Sequence, residues 1–290
     1  MTKIWSRCIQ YSKYGPPKEV LTLGKIQVDT NLSSNQVLVK WLASPINPLD
    51  INKIEGHYPV PPDFPIIGGS EVIGEVERVG SDVKSLKPGD AVVSLGMTQT
   101  CWSEYAVIDE TLLLKIDKRI DLVSAATLLI NPPTAYVMLK EYVDLNPGDF
   151  IIQNASNSGV GRSVIQLAKA FGLKSINLVR NRPNIQDLKN ELHQLGADYV
   201  FTEEEFRANS RTFLKSLDTP IRLALNGVGG KSCLAISNAL GSGGTLVTYG
   251  GMGKQPHEIS TSGFVFKNIK AEGIAITLWL NQESQENVQK

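Results

Sequence analysis

A run of small and polar residues at positions 154–161 is the segment of this sequence best suited to holding a ligand. It reads NASNSGVG, follows the apolar run FIIQ and precedes a stretch with helical character. Small side chains let the backbone approach a pyrophosphate, and the free N–H groups at the start of a helix bind anions. Because Asn157 and Ser158 stand where glycine is commoner in such loops, a tight structural turn stays open as the alternative.

Two arginines stand at the end of the next strand-like run. Arg180 lies 19 residues after Gly161, and Asn181 and Arg182 follow it. Folds that bind NAD usually place a carboxylate at this point, where it accepts a hydrogen bond from the ribose 2′-hydroxyl. No carboxylate is present here, whereas two guanidinium groups suit a 2′-phosphate, which arginine binds through paired hydrogen bonds. The pair predicts NADPH rather than NADH, with two solvated loop arginines as the alternative.

A second glycine cluster, with the sequence YGGM at positions 249–252, ends a later strand-like run. In a parallel sheet the ligand crevice lies beyond the carboxyl ends of the strands. This turn is therefore expected to approach the nicotinamide half of a dinucleotide. A flexible exit from the strand is the structural alternative.

The elements that must position these residues change in character along the chain. The first ~115 residues are rich in extended runs such as QVLVKWLAS and EVIGEVERVG, bounded by turn dipeptides. From about Leu122 onward, strand-like runs alternate with helical runs, a pattern typical of a parallel sheet covered by helices. The sequence predicts an α/β protein with a β-rich domain at residues 1–121 and a doubly wound, parallel-sheet domain at residues 122–290.

Composition excludes several other classes of function. Lysine plus arginine and aspartate plus glutamate both number 29, and a net charge of zero gives no support to a nucleic-acid partner. No apolar stretch reaches the ~18 residues of a membrane span, and the composition of the N-terminal run leads us to expect no leader there. Cys8, Cys101 and Cys233 form no Cys-x-x-Cys pair and have no clustered histidine or carboxylate partners. We therefore expect small buried hydrophobes rather than a metal site.

Six segments also give the sequence a family resemblance. They are PINPLDINKIEGHYPVPP, NPPTAYVMLKEY, IIQNASNSGVG, LVRNRPNIQDLKNELHQLGADYV, LALNGVGGKS and GGTLVTYGGMGKQP. In them the chain resembles the mitochondrial trans-2-enoyl-CoA reductases, which form part of the zinc-free, quinone-oxidoreductase-like branch of the medium-chain dehydrogenases/reductases. The resemblance implies a GroES-like catalytic domain, a Rossmann domain, NADPH in the cleft and no metal. It further implies a homodimer, for which the strand near residues 269–276 is the candidate edge.

The resemblance assigns roles to individual residues. Tyr58 is implied to be the catalytic tyrosine, whereas its position alone would suggest a loop aromatic. Trp102 is implied to line the substrate channel. The residues implied to bind the cofactor are Asn131, Asn157, Ser158, Gly159, Val160, Arg180, Asn181, Arg182, Tyr249, Gly250, Gly251, Met252, Ile274, Ala275, Ile276 and Thr277. In the implied reaction a hydride adds to C3 of a 2-enoyl thioester, and a hydroxyl donor at the thioester oxygen or a proton source for C2 lowers the barrier.

The sequence departs from the family pattern in several places. The run TCWS at positions 100–103 replaces Gly-Thr-Trp-Arg, Asn181 replaces an aspartate between the two arginines, and Ile274-Ala275 replaces Phe-Trp. Relatives also continue past the equivalent of Lys290 with a segment that returns to complete the catalytic domain. For a chain that ends at Lys290 we expect reduced stability or activity.

Three functions remain in competition at this stage. The first is reduction of trans-2-enoyl thioesters in fatty acid synthesis, on either coenzyme A or acyl carrier protein. The second is reduction of quinones or small enones with NADPH on the same scaffold. The third is a non-catalytic protein that binds NADPH or a partner. The family implies a mitochondrial location, while the lack of a visible leader leaves the cytoplasm open.

Overall fold

The computed structural model describes residues 3–58, 63–95 and 100–282. The chain divides into two compact units, residues 1–130 and residues 131–290. Each unit has hydrophobic clusters of its own, and each is described separately below. The PVPP run that follows Tyr58 lies outside the described residues.

The division between the units falls slightly later than the sequence interpretation placed it. That interpretation ended the first domain at residue 121, whereas the units meet after Ile130. The intervening segment contains a short helix whose Ala125 and Ala126 pack with Ile73 and Val93, two strand residues of the first unit. This packing keeps the helix with the first unit.

In its described residues the first unit is built mainly from short antiparallel strands, as its β-branched runs predicted. The strands are β1 (Lys3–Tyr11), β2 (Thr22–Asp29), β3 (Gln36–Ala43), β4 (Ile66–Ile67), β5 (Ile73–Val79), β6 (Ala91–Ser94), β7 (Tyr105–Asp109) and β8 (Leu113–Lys115). They form one sheet in the order β2-β1-β4 and another in the order β7-β3-β5-β6-β8. Alternation along β3 buries Val37, Val39 and Trp41, which pack with Val76 and Val92.

Three short α-helices accompany these strands in the described part of the unit: α1 (Pro17–Val20), α2 (Pro48–Ile54) and α3 (Leu122–Ala126). A 3₁₀ turn covers Glu110–Leu112. Helix α2 begins where the Asn47 backbone N–H donates to the Asp50 carboxylate at 2.7 Å, and Pro48 occupies its first position. After α2 the chain turns at Gly56, whose φ is +78°, and this turn delivers Tyr58.

The second unit alternates helices and parallel strands, which confirms the predicted α/β pattern. In chain order its elements are α4 (Asn131–Lys140), β9 (Phe150–Gln153), α5 (Gly159–Ala170), β10 (Lys174–Val179), α6 (Ile185–Leu195), β11 (Tyr199–Thr202), α7 (Glu203–Lys215), β12 (Ile221–Asn226), α8 (Gly230–Ala239), β13 (Leu240–Thr248), α9 (Thr261–Lys267), β14 (Lys270–Gly273) and α10 (Ile276–Gln282).

The six strands of this unit lie in the order β11-β10-β9-β12-β13-β14. This is the Rossmann order, in which the direction of winding reverses between the first and fourth strands, here β9 and β12. Ile152, Ile176 and Ala224 are fully buried in the sheet, as expected for strands covered on both faces. The carboxyl ends of β9 and β12 therefore mark the predicted ligand crevice.

Cys8, Cys101 and Cys233 are all buried, as predicted, and none of them forms a disulfide. No helix in the described ranges is long and apolar enough to cross a membrane.

Candidate active site

The loop between β9 and α5 is closed by Ser158, the N-cap residue of the helix. Its Oγ accepts a hydrogen bond from the Gly161 N–H at 3.1 Å. Gly161 cannot carry a side chain, because a Cβ there would lie 2.6 Å from the Ala155 oxygen and from the Ser156 Cα. The first N–H groups of a helix have no intrahelical acceptor, so this tightly packed turn can hold a phosphate.

Asn131 and Tyr249 flank this loop from two other elements. A Cβ on Gly159 would stand 2.8 Å from the Asn131 Cγ, which shows that the amide lies against the first residue of α5. The Tyr249 hydroxyl is buried and has no hydrogen-bond partner among the described residues. Burial raises the pKa of Tyr249 to about 12, and the nearby Ser158 side chain opposes that shift. A buried hydroxyl without a partner is costly, and it marks a place where a ligand atom can bind.

The glycines that follow Tyr249 leave open space at the end of β13. The Met252 N–H donates to the Gly227 oxygen at 3.0 Å, so the turn is anchored to the end of β12. A Cβ on Gly251 would meet no atom within 4 Å, and Met252 is 62% exposed. Gly250 connects Tyr249 to Gly251, and a Cβ on it would lie 3.4 Å from the Gly227 oxygen. The turn thus offers backbone groups and an apolar side chain next to the predicted crevice.

Arg180, Asn181 and Arg182 follow β10, the strand that pairs with β9. The Asn181 Oδ1 accepts a hydrogen bond from the Arg182 N–H at 2.9 Å, and the Arg182 Nε donates to the Arg180 oxygen at 3.4 Å. No ion pair between either guanidinium and a described carboxylate is formed. Both cations are therefore free to bind an anion at the end of β10. Asn181 orders the turn through its own hydrogen bond, in place of the family's aspartate.

The last predicted segment, residues 274–277, leads from β14 into α10. The Ile274 N–H donates to the Thr248 oxygen at 2.9 Å, and its side chain packs in the cluster that contains Tyr249 and Val160. Ile276 is buried, and Ala275 accepts hydrogen bonds from the first turn of α10. The structure therefore brings Ile274 to the same side of the sheet as the loop. It shows no contact that distinguishes Thr277.

A network of buried amides supports the loop, and the sequence interpretation missed it. Gln153 donates to the Gly161 oxygen at 2.9 Å and to the Asn177 Oδ1 at 2.8 Å. Asn154 donates to the Asn226 Oδ1 at 2.8 Å and accepts from the Gly227 N–H at 2.8 Å. All four amide side chains are fully buried. They tie the ends of β9, β10 and β12 together and so hold the loop in place. The signal in the sequence was an amide at the end of two apolar strands, Gln153 in β9 and Asn226 in β12.

In the first unit Tyr58 lies beside Lys53, whose Nζ is 5.8 Å from the centre of its ring. The same ammonium donates to the Ser70 Oγ at 3.0 Å, and Ser70 donates to the Asp50 carboxylate at 2.5 Å. Burial raises the pKa of Asp50 and lowers that of Lys53. Tyr58, a predicted site residue, thus belongs to a polar group whose other members the sequence interpretation did not single out.

Trp102 packs against Gly68 and Gly69, which leave room for its indole. A Cβ on Gly68 would lie 2.2 Å from the ring, and Gly69 has a φ of +95°. Trp102 lines a cavity of about 560 Å³ within the first unit, and its other walls are mainly apolar, including Ile9 and Leu21. The cavity has a size and lining suited to an apolar ligand.

Comparison with known proteins adds to this geometry. The model of the alcohol dehydrogenase GroES-like domain matches residues 33–118, and that of the zinc-binding dehydrogenase family matches residues 159–289. The mitochondrial enoyl-[acyl-carrier-protein] reductase of Caenorhabditis elegans is 54% identical over 280 residues, covering 97% of this chain and 81% of the relative. The enzyme of the same name from Rattus norvegicus is 48% identical, covering 97% and 75%.

The chain belongs to the mitochondrial enoyl-[acyl-carrier-protein] reductase family.

Solved structures similar to this enoyl-[acyl-carrier-protein] reductase family member agree in fold. An Etr1p complex with NADP and crotonyl-CoA has a TM-score of 0.92 at 34% identity, covering 99% of this chain and 86% of that one. The heterodimer of the mitochondrial 2-enoyl thioester reductases Etr1p and Etr2p from Candida tropicalis gives the same values. A Bacillus thuringiensis protein with the provisional name NADPH:quinone reductase has a TM-score of 0.88 at 28% identity. This match covers 99% of the present chain and 84% of that one. These comparisons confirm the predicted family and the two-domain fold.

Glu71 is a second buried carboxyl group in this enoyl-[acyl-carrier-protein] reductase chain. Its Oε1 accepts from the Asn47 Nδ2 at 2.9 Å, and its Oε2 accepts from the backbone N–H groups of Leu129 and Ile130 at 3.2 and 3.1 Å. Only 1% of Glu71 is exposed. Burial raises its pKa to about 7, although the three hydrogen bonds act in the opposite direction and lower it. In the described ranges no three histidine, cysteine, aspartate or glutamate side chains cluster closely enough to hold a metal ion.

We expect Glu71→Gln to flatten the dependence of stability on pH. The pKa of this carboxyl is about 7 in the folded chain and 4.5 as the ordinary value, so the folded state holds the proton more tightly. Glu71 therefore makes the folded state less stable as pH rises from about 4.5 to about 7, by on the order of 3 kcal/mol in all. Glutamine keeps the size and one acceptor but does not titrate.

Urea unfolding of both proteins at several pH values between 5 and 8 measures this effect. The free energy of unfolding of Glu71→Gln should change less with pH across that window than that of the unchanged protein. Equal slopes would show that Glu71 does not titrate with a raised pKa. The Glu77→Gln variant, which makes the same chemical change at an exposed position on β5, is the control.

Proposed function

We propose that this chain reduces trans-2-enoyl thioesters to saturated acyl thioesters with NADPH. One observation carries the proposal: three features lie together at the carboxyl ends of β9, β10 and β13. They are a tight loop at a helix N-terminus, two arginines that form no ion pair with a described carboxylate, and a buried hydroxyl with no hydrogen-bond partner among the described residues. Family membership and the NADP and crotonyl-CoA complex of a relative at 34% identity support the same reaction.

The residues of the second unit fit a phosphorylated dinucleotide. The first turn of α5, with Asn157, Ser158, Gly159 and Val160, would bind the pyrophosphate through N–H groups and the helix dipole. Arg180 and Arg182 would bind the 2′-phosphate, held apart by the turn that Asn181 orders.

The nicotinamide half of the dinucleotide would lie between three groups of residues. These are the Asn131 amide, the Tyr249–Met252 turn and the segment that starts at Ile274. A bound ribose or nicotinamide ring would fill the open space at Gly251. It would also supply a hydrogen-bond partner for the Tyr249 hydroxyl, which has none among the described residues. We assign Ala275, Ile276 and Thr277 to the same contact by family resemblance.

When bound, NADPH would supply the hydride that adds to C3 of the enoyl thioester. Negative charge then grows on the thioester oxygen, and C2 requires a proton. Tyr58 would serve as the hydrogen-bond donor at that oxygen or as the proton source, because a phenolic hydroxyl carries a hydrogen that it can donate. Trp102 and the apolar cavity beside it would receive the acyl chain.

A steady-state comparison of substrates tests the proposal. NADPH oxidation is measured with crotonyl-CoA, with a crotonyl acyl carrier protein and with a soluble quinone. Turnover of the thioesters well above that of the quinone supports it. Turnover of the quinone alone would favour the quinone reductase to which the fold is also similar. Tight NADPH binding with no oxidation on any acceptor would indicate a non-catalytic protein.

We further propose that two copies pair through β14. This strand ends the sheet, and all four of its residues are exposed. An edge strand of this kind can pair with its equivalent in a second chain. The preceding helix, α9, exposes Phe264, Val265 and Phe266 to 45%, 65% and 82%. Apolar side chains grouped beside an open edge are typical of an interface.

Phe266→Glu is expected to convert the dimer into a monomer at micromolar concentration, because two carboxylates would be buried in one symmetric interface. Light scattering after gel filtration gives the mass. The control is Val123→Glu, which places the same charge on an exposed apolar residue of the first unit. A monomer before any substitution, or a dimer that survives Phe266→Glu, would contradict the proposed interface.

The relatives reported above are named as mitochondrial, and we propose the same compartment and a role in fatty acid synthesis for this chain. Imaging of the tagged product of the whole gene tests the compartment, and a signal confined to the cytoplasm would contradict it.

A further inference from the structure

A chain of hydrogen bonds fixes the Lys53 ammonium at one point in the first unit. Ser70 uses its hydroxyl hydrogen to donate to the Asp50 carboxylate at 2.5 Å, so its oxygen is free to accept from the Lys53 Nζ at 3.0 Å. Ser70 is 5% exposed and Asp50 is 2% exposed. The Ser70 and Asp50 end of this series of hydrogen bonds is therefore buried, and it holds the flexible Lys53 side chain in place.

The Asp50 end is itself anchored to the backbone. Its second carboxylate oxygen accepts from the Asn47 N–H at 2.7 Å, at the start of α2. Asp50 and Lys53 are three residues apart on that helix and thus lie on the same face. Burial lowers the pKa of Lys53, whereas Asp50 and Cys101 oppose that effect. The carboxylate thereby favours the charged form of the amine.

The fixed ammonium lies next to the aromatic ring of Tyr58. The distance from Nζ to the ring centre is 5.8 Å, inside the range in which a cation is attracted to the negative face of an aromatic ring. Tyr58 reaches this position through the turn at Gly56, where a Cβ would lie 2.8 Å from the Tyr14 ring. Lys53 therefore extends from α2, and the turn after the helix brings Tyr58 back next to its ammonium group.

We propose that Lys53 is a positioning residue for Tyr58, with its ammonium, held by Ser70 and Asp50, fixing the orientation of the tyrosine ring. The inference rests on the proposed role of Tyr58 in thioester reduction. A hydroxyl that must meet one atom of the substrate loses efficiency when its ring can turn away. Lys53 acts through Tyr58 and touches neither substrate nor cofactor.

The test compares kcat and KM for crotonyl-CoA across matched variants. Lys53→Met keeps the length and apolar stem but removes the charge, and kcat is expected to fall about three- to thirtyfold with NADPH affinity unchanged. Lys53→Arg keeps a cation that can stack on an aromatic ring and should recover most of the loss. Lys18→Met, an exposed helical lysine of the same unit, is the control.

A double substitution separates positioning from direct action. In a Tyr58→Phe background, Lys53→Met should have no further effect on kcat. A full additional loss there, or a change confined to KM for the thioester, would mean that Lys53 contacts the substrate, and either would overturn the proposal. Kinetics of Lys53→Met equal to those of the unchanged protein would overturn it as well.

Ser70→Ala provides a second variant if Lys53→Met does not fold, as judged by its melting temperature. It leaves the ammonium in place but releases it from Asp50, and a smaller fall in kcat is expected. An unchanged kcat in Ser70→Ala would count against the fixed cation. Absence of turnover in the unchanged protein would be a different failure, since it removes the proposed function itself and the Lys53 role with it.

Discussion

Tyr58→Phe is expected to lower kcat for crotonyl-CoA about 10²–10³-fold, the usual cost of removing one donor from a developing oxyanion. The substitution keeps the ring and its contact with the Lys53 ammonium, so only the hydroxyl is lost. Binding of NADPH should be unchanged, because the predicted cofactor residues all lie in the second unit. Stopped-flow or steady-state NADPH oxidation gives the rate, and protein fluorescence titration gives the affinity.

Tyr14→Phe is the matched control for this substitution. Tyr14 belongs to the same unit and packs edge-to-face on Phe64, a contact that phenylalanine preserves. Its rate should stay close to that of the unchanged protein. A loss of less than about threefold in Tyr58→Phe would remove this tyrosine from the reaction. An equal loss in Tyr14→Phe would indicate a general disturbance of the region.

Replacing both Arg180 and Arg182 with alanine is expected to abolish the preference for NADPH over NADH. Each charge-assisted pair is worth ~1.5–3 kcal/mol, so loss of two should weaken NADPH binding about 10²–10⁴-fold. Affinity for NADH should change little, because that cofactor has no 2′-phosphate. Stability should also change little, since neither arginine forms an ion pair with a described carboxylate.

The ratio of kcat/KM for the two cofactors measures this preference. The control replaces Arg207 and Arg211, two exposed arginines on α7, with alanine, which changes the net charge by the same amount. An equal fall in affinity for NADPH and NADH would show that the pair binds the pyrophosphate or supports the fold. An unchanged ratio would place the 2′-phosphate elsewhere.

The features that could be predicted from the sequence are local ones. The strand, loop and helix at residues 150–170 follow from an apolar run, a cluster of small residues and a helical period. Arg180 follows from the regular length of a strand-helix-strand unit, because the end of the second strand must lie next to the end of the first. The turn at Tyr249 follows from the glycine cluster that ends a strand-like run. Asn131, by contrast, is implied only by the family motif and follows from no local pattern.

The features that the sequence interpretation missed depend on register and tertiary packing. Gln153 meets Asn177 only because β9 and β10 pair in one register, and that register is not readable from either strand alone. Lys53 meets Ser70 across 17 residues of chain through the packing of α2 on the loop before β5. Glu71 offered a weak signal, since a lone carboxylate next to a run of buried apolar residues needs hydrogen-bond donors from elsewhere.

The central claim is hydride transfer from NADPH to an enoyl thioester, and its most direct test follows one hydrogen atom from the cofactor to the product. Crotonyl-CoA is incubated with this protein and with NADPH that carries deuterium on one or the other face of nicotinamide C4, and the product is identified by mass spectrometry and NMR. We expect butyryl-CoA with one deuterium at C3 from one of the two labelled cofactors, formed in a 1:1 ratio to the NADPH consumed. NADPH consumption without butyryl-CoA, or butyryl-CoA without deuterium at C3 from either cofactor, would contradict hydride transfer to an enoyl thioester.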